Sequence, residues 1–154
     1  MTAELSTYVD VDAAPERVWE VLTDVPAWPQ WNRFVTAAEG RFAVGERVSL
    51  EVPKLSPALR TSLRLTVLEV DPLRRVRFGL SLARLGLPGL FSTEHTLTLA
   101  REDGVVRLWE DAQFRGLLVP LVSRSLNRRY ISGFDATNVA LKNRIEALPP
   151  VRPA

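Results

Sequence analysis

The sequence predicts an α+β domain in which a curved antiparallel sheet wraps around a long C-terminal helix. Three observations lead to this fold class: period-two alternation over Glu4–Val11, strand-like segments from 35 to 115, and a helical apolar stripe after Gly116. A long helix that is apolar on one side is best buried against the concave face of a twisted sheet. A cavity is expected wherever the side chains of helix and sheet do not fully interdigitate.

Two short helical segments are expected after the first strand. Pro15 suits the first helical position, and Glu16 favours the positive end of the helix, which ends near Asp24. Pro26 and Pro29 then leave an irregular second turn that is rich in aromatic residues. The later strands, about seven with the first, should form a meander of antiparallel neighbours. They are expected near 35–40, 46–52, 61–71, 75–83, 91–101 and 105–115.

The last part of the chain has the periodicity of a helix. A helix of about 30 residues would be about 45 Å long, enough to cross a sheet. Residues 1–148 therefore read as a single domain, and the tail at 149–154 is expected to be disordered. The apolar stripe has spacings of three and four and comprises Leu118, Val122, Leu126, Tyr130, Phe134, Thr137, Leu141 and Ile145.

The composition excludes several kinds of site. The chain has no cysteine and a single histidine, His95, which excludes disulfides, thiolate sites and multi-histidine metal centres. No metal and no cofactor is therefore predicted. The net charge of +2 gives little support for a nucleic-acid partner. The N-terminus has no secretory pattern, and no apolar run is long enough to cross a bilayer, so we expect a cytoplasmic protein without a transmembrane segment.

Three segments resemble a known family. Residues 12–32, DAAPERVWEVLTDVPAWPQWN, resemble the opening signature of START-like proteins, also called the SRPBCC superfamily. EHTLTL at 94–99 and FRGLLVPL at 114–121 resemble its polyketide cyclase/dehydrase-like branch. The resemblance extends over Ala3–Ala147 and implies a helix-grip fold. The family includes ligand binders, lipid carriers, aromatases and cyclases, so the resemblance implies the fold more firmly than the function.

Two ionisable residues fall on predicted inward strand faces. His95 shares its face with Leu97, and could serve as a general acid or base or as a core histidine bonded to a neighbouring hydroxyl. Glu110 shares its face with Leu108, where a carboxyl group must be hydrated, paired or protonated. Alternatively, Glu110 lies wet and inert at the rim. Because their strands are neighbours, the two residues could form a polar pair in the cavity.

The loops at one end of the predicted meander are apolar. In such a sheet every second connection falls at the same end, which places 53–58, 84–90 and 116–117 together. Apolar loops at one end could form a pocket mouth, a dimer contact or a membrane-touching rim. Alternatively, the leucines of 84–90 fold back onto the core.

The expected function is the binding of a small hydrophobic molecule, such as a lipid, an aromatic compound or a polyketide-like compound, in the internal cavity. One alternative is a cyclase or dehydratase in which His95 or Glu110 transfers a proton. Another is a dimerisation or interaction module, with a homodimer as the assembly. The residues predicted to contact the ligand are Trp31, Phe34, Leu65, Phe78, His95, Leu97, Leu108, Glu110, Phe114, Leu126, Tyr130 and Phe134.

Overall fold

The fold consists of a β-sheet, two α-helices and two 3-10 turns, as seen in a computed structural model. The structure describes residues 1–53 and 60–149, except for the side chains at 53, 60, 61 and 122–131. The 3-10 turns are Val25–Gln30 and Leu82–Leu85. The helices are α1 (Pro15–Thr23) and α2 (Val119–Glu146). The strands are β1 (Thr2–Val11), β2 (Ala37–Glu39), β3 (Arg47–Pro53), β4 (Arg60–Asp71), β5 (Arg75–Ser81), β6 (Ser92–Glu102) and β7 (Val105–Arg115).

The sheet is seven-stranded and antiparallel throughout, in the order β1-β7-β6-β5-β4-β3-β2. The predicted meander and helix-grip arrangement are thus confirmed, with β1 closing onto the last strand. Glu110 of β7 lies between Thr7 of β1 and Leu97 of β6, and His95 pairs with Ala112. Glu110 and His95 therefore occupy diagonal positions on the same face of the sheet.

Two predicted strands are shorter than expected. The strand predicted at 35–40 is confined to Ala37–Glu39. The strand predicted at 75–83 ends at Ser81, because its hydroxyl accepts a hydrogen bond from the N–H of Ala83 and starts a 3-10 turn. Side-chain acceptors of this kind compete with a sheet ladder for backbone N–H groups.

The aromatic turn after α1 is tied to that helix by a tryptophan. Ala14 gives α1 no side-chain cap, and the helix is held instead by burial of Val18 and Leu22. The indole N–H of Trp28 donates to the carbonyl oxygen of Leu22 at 3.0 Å. The irregular second turn predicted from the prolines is the 3-10 turn Val25–Gln30. This turn forms one wall above the sheet.

The C-terminal half of α2 is fastened to the first strand. α2 has 28 residues, and Leu141 is buried on its sheet-facing side. The side-chain amide of Asn138 donates to Thr7 Oγ1 at 3.1 Å, and Lys142 Nζ donates to the Asp10 carbonyl oxygen at 2.9 Å. These contacts combine apolar burial with satisfied polar groups and fix where the helix crosses the sheet.

Some predicted features lie outside the described residues. These are the loop at 53–58 beyond residue 53, the side chains of Val122, Leu126 and Tyr130, and the tail from residue 150. In the part of the chain that the structure describes, no helix is both long and apolar enough to cross a membrane.

Candidate ligand-binding site

A cavity of about 190 Å³ lies between the sheet, α2 and the aromatic 3-10 turn. It exceeds the engineered apolar cavity of about 150 Å³ that stays dry and binds benzene in another protein. Its wall is mainly aliphatic and aromatic, with a few polar side chains among them. The space is sufficient for an aromatic compound of one or two rings.

Every predicted ligand contact whose side chain is described lies on this cavity wall; ligand contact itself stays a prediction. Leu126 and Tyr130, whose side chains are not described, are the exceptions. The wall positions that had been predicted are Trp31, Phe34, Leu65, Phe78, His95, Leu97, Leu108, Glu110, Phe114 and Phe134.

Two buried asparagines on the wall were not identified from the sequence. Asn32 and Asn138 are 7% and 5% exposed. Asn32 Oδ1 accepts from the N–H of Phe34 at 2.9 Å and from Thr137 Oγ1 at 3.4 Å, which joins the aromatic turn to α2. Asn138 follows Phe134 by four residues, so helical spacing alone could have placed it on the buried stripe.

His95 sits in an aromatic cage. Its ring stacks on Phe78 with 5.5 Å between centroids and lies nearly perpendicular to the ring of Phe114, with 6.3 Å between centroids. His95 Nε2 lies 3.2 Å from Thr93 Oγ1. Burial lowers the pKa of His95 to about 4, so the imidazole is uncharged at neutral pH. This is the geometry of a hydrogen-bonded core histidine, one of the alternatives that the sequence left open.

Glu110 is an acid without a partner. It lines the cavity, and none of the hydrogen bonds and ion pairs of the described residues involves its carboxyl group. Burial, with a contribution from the charge of Asp111, raises the pKa of Glu110 to about 8. Of the hydrated, paired and protonated alternatives, the structure favours the protonated one. At neutral pH the group is an uncharged carboxylic acid facing the cavity.

The expected polar pair of His95 and Glu110 is not formed directly. No hydrogen bond joins them among the described contacts, and diagonal positions on neighbouring antiparallel strands are about 7–8 Å apart. A polar group of a bound molecule between them could contact both side chains. The two residues define one polar region in an otherwise apolar wall.

A second polar group on the wall also lacks a partner. The indole nitrogen of Trp31 is buried and makes no hydrogen bond to any described residue. Burying an N–H group without an acceptor costs about 1–3 kcal/mol. Within the described part of the wall, Trp31 and Glu110 are thus two groups whose hydrogen-bonding capacity is unused.

Two of the predicted apolar loops, 84–90 and 116–117, meet at one end of the sheet, as the strand pairing requires. The N–H of Leu117 donates to the Gly89 carbonyl oxygen at 3.0 Å and that of Leu118 to Leu90 at 3.1 Å. The alternative that the loop leucines fold back onto the core is wrong for Leu85 and Leu87, because both are exposed, although Leu90 is half-buried. Whether this end is a pocket mouth, a dimer contact or a membrane-touching rim stays a prediction. The exposed leucines in the described residues of loops 84–90 and 116–117 and of the first turn of α2 are Leu85 (73%), Leu87 (50%), Leu117 (78%) and Leu121 (79%).

The family model described as "Polyketide cyclase / dehydrase and lipid transport" matches residues 2–146. The chain belongs to this family. No curated protein matches the chain in sequence. Membership of the family accounts for the sheet, the long helix and the cavity between them. By its description, the family includes both enzymes and carriers.

Solved structures with the same fold have little sequence identity to this chain. The di-domain ARO/CYC protein BexL from the BE-7585A biosynthetic pathway is 16% identical to this chain. Its TM-score is 0.73, and the match covers 96% of this chain and 51% of the BexL chain. This chain thus spans about half the length of BexL. Ara h 8.0201 is 11% identical, with a TM-score of 0.72 over 96% and 100% of the two chains. TTHA0849 from Thermus thermophilus is 17% identical, with a TM-score of 0.71 over 94% and 98%. At these identities the likeness shows the fold alone.

Proposed function

We propose that the protein binds a small, mainly apolar molecule in its internal cavity and carries or sequesters it. The observation that supports this most is the cavity of about 190 Å³ with its largely apolar wall and few polar groups. Binding sites for small molecules commonly combine an apolar wall with a few polar groups that set orientation. The family description, which includes lipid transport, agrees with such a role.

The apolar wall can supply measurable affinity for a small probe. Burying about 200 Å² of apolar ligand surface at about 25 cal/mol per Å² corresponds to about 5 kcal/mol. That free energy corresponds to a dissociation constant on the order of 0.1 mM. A larger natural ligand would bury more surface and bind more tightly.

Ligand binding is tested by thermal stabilisation with a panel of apolar compounds and by mass spectrometry of small molecules extracted from the purified protein. A ligand at about ten times its dissociation constant should stabilise the native state by about 1.4 kcal/mol. Leu97→Trp fills the cavity and should abolish the stabilisation. Thr96→Trp is the matched control, because residue 96 lies on the outer face of the same strand. The proposal fails if no compound stabilises the protein, or if both variants respond as the wild type does.

A second candidate function is proton-transfer catalysis of the cyclase or dehydratase type. The specific observation in its favour is Glu110, a cavity-facing acid whose raised pKa of about 8 suits transfer of a proton near neutral pH. His95, with a pKa of about 4, is poorly matched to that task. Glu110→Gln separates the two functions, because a carrier keeps its ligand affinity whereas an enzyme keeps affinity but loses turnover.

A further inference from the structure

The described residues around Glu110 bring no counter-charge to its carboxyl group. Thr7 faces it from β1, Leu97 and His95 from β6, and Asn138 lies on the cavity wall contributed by α2. Among the described residues, no lysine or arginine lines the cavity. Within the described part of the wall, a bound molecule is thus the nearest possible partner for this carboxyl group.

This arrangement discriminates between ligands by charge. A ligand carboxylate placed here could accept the same hydrogen bond, but its charge would be buried without a counter-charge from the described wall, and the cost of removing that charge from water is large. A ligand ammonium would have to form a buried ion pair with Glu110, whose desolvation offsets most of the attraction. An uncharged oxygen acceptor requires neither, because the protonated acid already offers it a hydrogen.

The second unsatisfied group of the wall has the same polarity. Trp31 offers an N–H and can only donate. Glu110, when protonated, also donates. The indole nitrogen of Trp31, however, has almost no accessible surface, so Glu110 is the unused group that a ligand in the cavity can reach.

We propose that the carboxyl group of Glu110 donates a hydrogen bond to an uncharged carbonyl oxygen of the ligand, so that the cavity selects ketones and esters over carboxylates and amines of the same shape. The inference rests on the proposed binding function and adds the chemical class of the ligand to it. Glu110 is thereby the specificity-determining residue of the cavity.

Four naphthalenes that differ in one substituent test the inference at pH 6.5: 2-acetylnaphthalene, 2-ethylnaphthalene, 2-naphthoate and 2-(aminomethyl)naphthalene. Their dissociation constants are measured by calorimetric titration of the full chain. The ketone should bind about five- to tenfold more tightly than the ethyl compound, the ratio expected for one net hydrogen bond. The carboxylate should bind about 100-fold more weakly than the ketone, because its charge is removed from water without gaining a counter-charge.

Variants of Glu110 assign the preference to this side chain. Glu110→Met keeps the length of the side chain but removes the donor, so the ketone and the ethyl compound should bind equally. Glu110→Gln keeps an N–H donor and should retain the preference for the ketone. Gln113→Met is the matched control on the outer face of the same strand, and it should also retain the preference.

The outcomes distinguish this inference from the proposed function. If the ethyl compound binds as tightly as the ketone, or if the amine binds most tightly of the four, the inference is overturned and cavity binding stands. A ketone preference that survives in Glu110→Met overturns the assignment to Glu110. If none of the four naphthalenes binds although another compound of the apolar panel does, the inference is overturned and the proposed function stands; if no compound of either set binds, both are overturned.

Discussion

Replacing Glu110 by glutamine should remove a pH-dependent destabilisation of the native state. Burial raises the pKa of Glu110 from its ordinary 4.5 to about 8 in the folded protein. As the pH rises above 4.5, the unfolded chain releases this proton and the folded chain retains it, which favours unfolding. The contribution of Glu110 to stability therefore falls as the pH rises from about 4.5, and it becomes constant above pH 8.

The size of the effect follows from the two pKa values. Each unit of difference corresponds to about 1.4 kcal/mol in the free energy of unfolding. Between pH 5 and pH 8, the free energy of unfolding of the wild type should fall by about 3.5 kcal/mol through this one group. Domains are stable by about 5–15 kcal/mol, so a loss of this size is readily detected.

Urea denaturation of the wild type and Glu110→Gln at pH 5, 6, 7 and 8 measures the effect. The difference between their free energies of unfolding should grow by about 3.5 kcal/mol across this range, in favour of the variant at high pH. The control variant Glu39→Gln removes an exposed carboxyl group, and its difference from the wild type should stay nearly constant. Parallel stability curves for the wild type and Glu110→Gln would refute the assignment of a protonated acid to the cavity.

Three further predictions concern single residues. As the pH falls from 6.5 to about 4, the wild type should lose stability, because the imidazole of His95 binds a proton in the unfolded chain before it does in the folded one. His95→Asn should remove this loss, which is worth about 3 kcal/mol at pH 4 in urea denaturation. Asn138→Ala should cost about 1–3 kcal/mol by leaving a buried group unpaired, whereas the exposed Asn143→Ala on the same helix should cost little in thermal unfolding. Gly116→Ala should cost about 2–3 kcal/mol in urea denaturation. Alanine is strained at the φ of 126° that Gly116 adopts, and its Cβ would lie 2.5 Å from a backbone oxygen. Gly104→Ala, with φ of 86° and no atom within 4 Å, should cost less.

The strands of the cavity wall could be predicted because their pattern is local. Along β6 and β7 apolar and polar residues alternate, and this parity places His95 and Glu110 on the inward face before any contact is known. Leu97 on β6 and Leu108 on β7, which the same parity places on the inward face, are both buried. A period of two in a half-buried strand therefore gives side-chain direction as well as secondary structure.

The features that the sequence did not reveal depend on contacts between distant segments. Asn32 joins the aromatic turn to α2 through Thr137, a contact between residues far apart in sequence. The state of Glu110 depends on which groups fail to reach it, and spacing along one strand does not show that. The end of β5 at Ser81 was missed because a single hydroxyl outcompetes the ladder there.

The two ionisable groups of the described cavity wall act on stability in opposite directions. Between pH 4.5 and 6.5, a fall in pH favours folding through Glu110 and disfavours it through His95, so their contributions nearly cancel. Above pH 6.5 only the loss through Glu110 remains, up to about pH 8. Both side chains are uncharged from about pH 4 to about pH 8, which keeps this part of the wall free of charge over that whole interval. Because an uncharged wall leaves a ligand charge without compensation, the same burial that perturbs both pKa values also favours a neutral ligand.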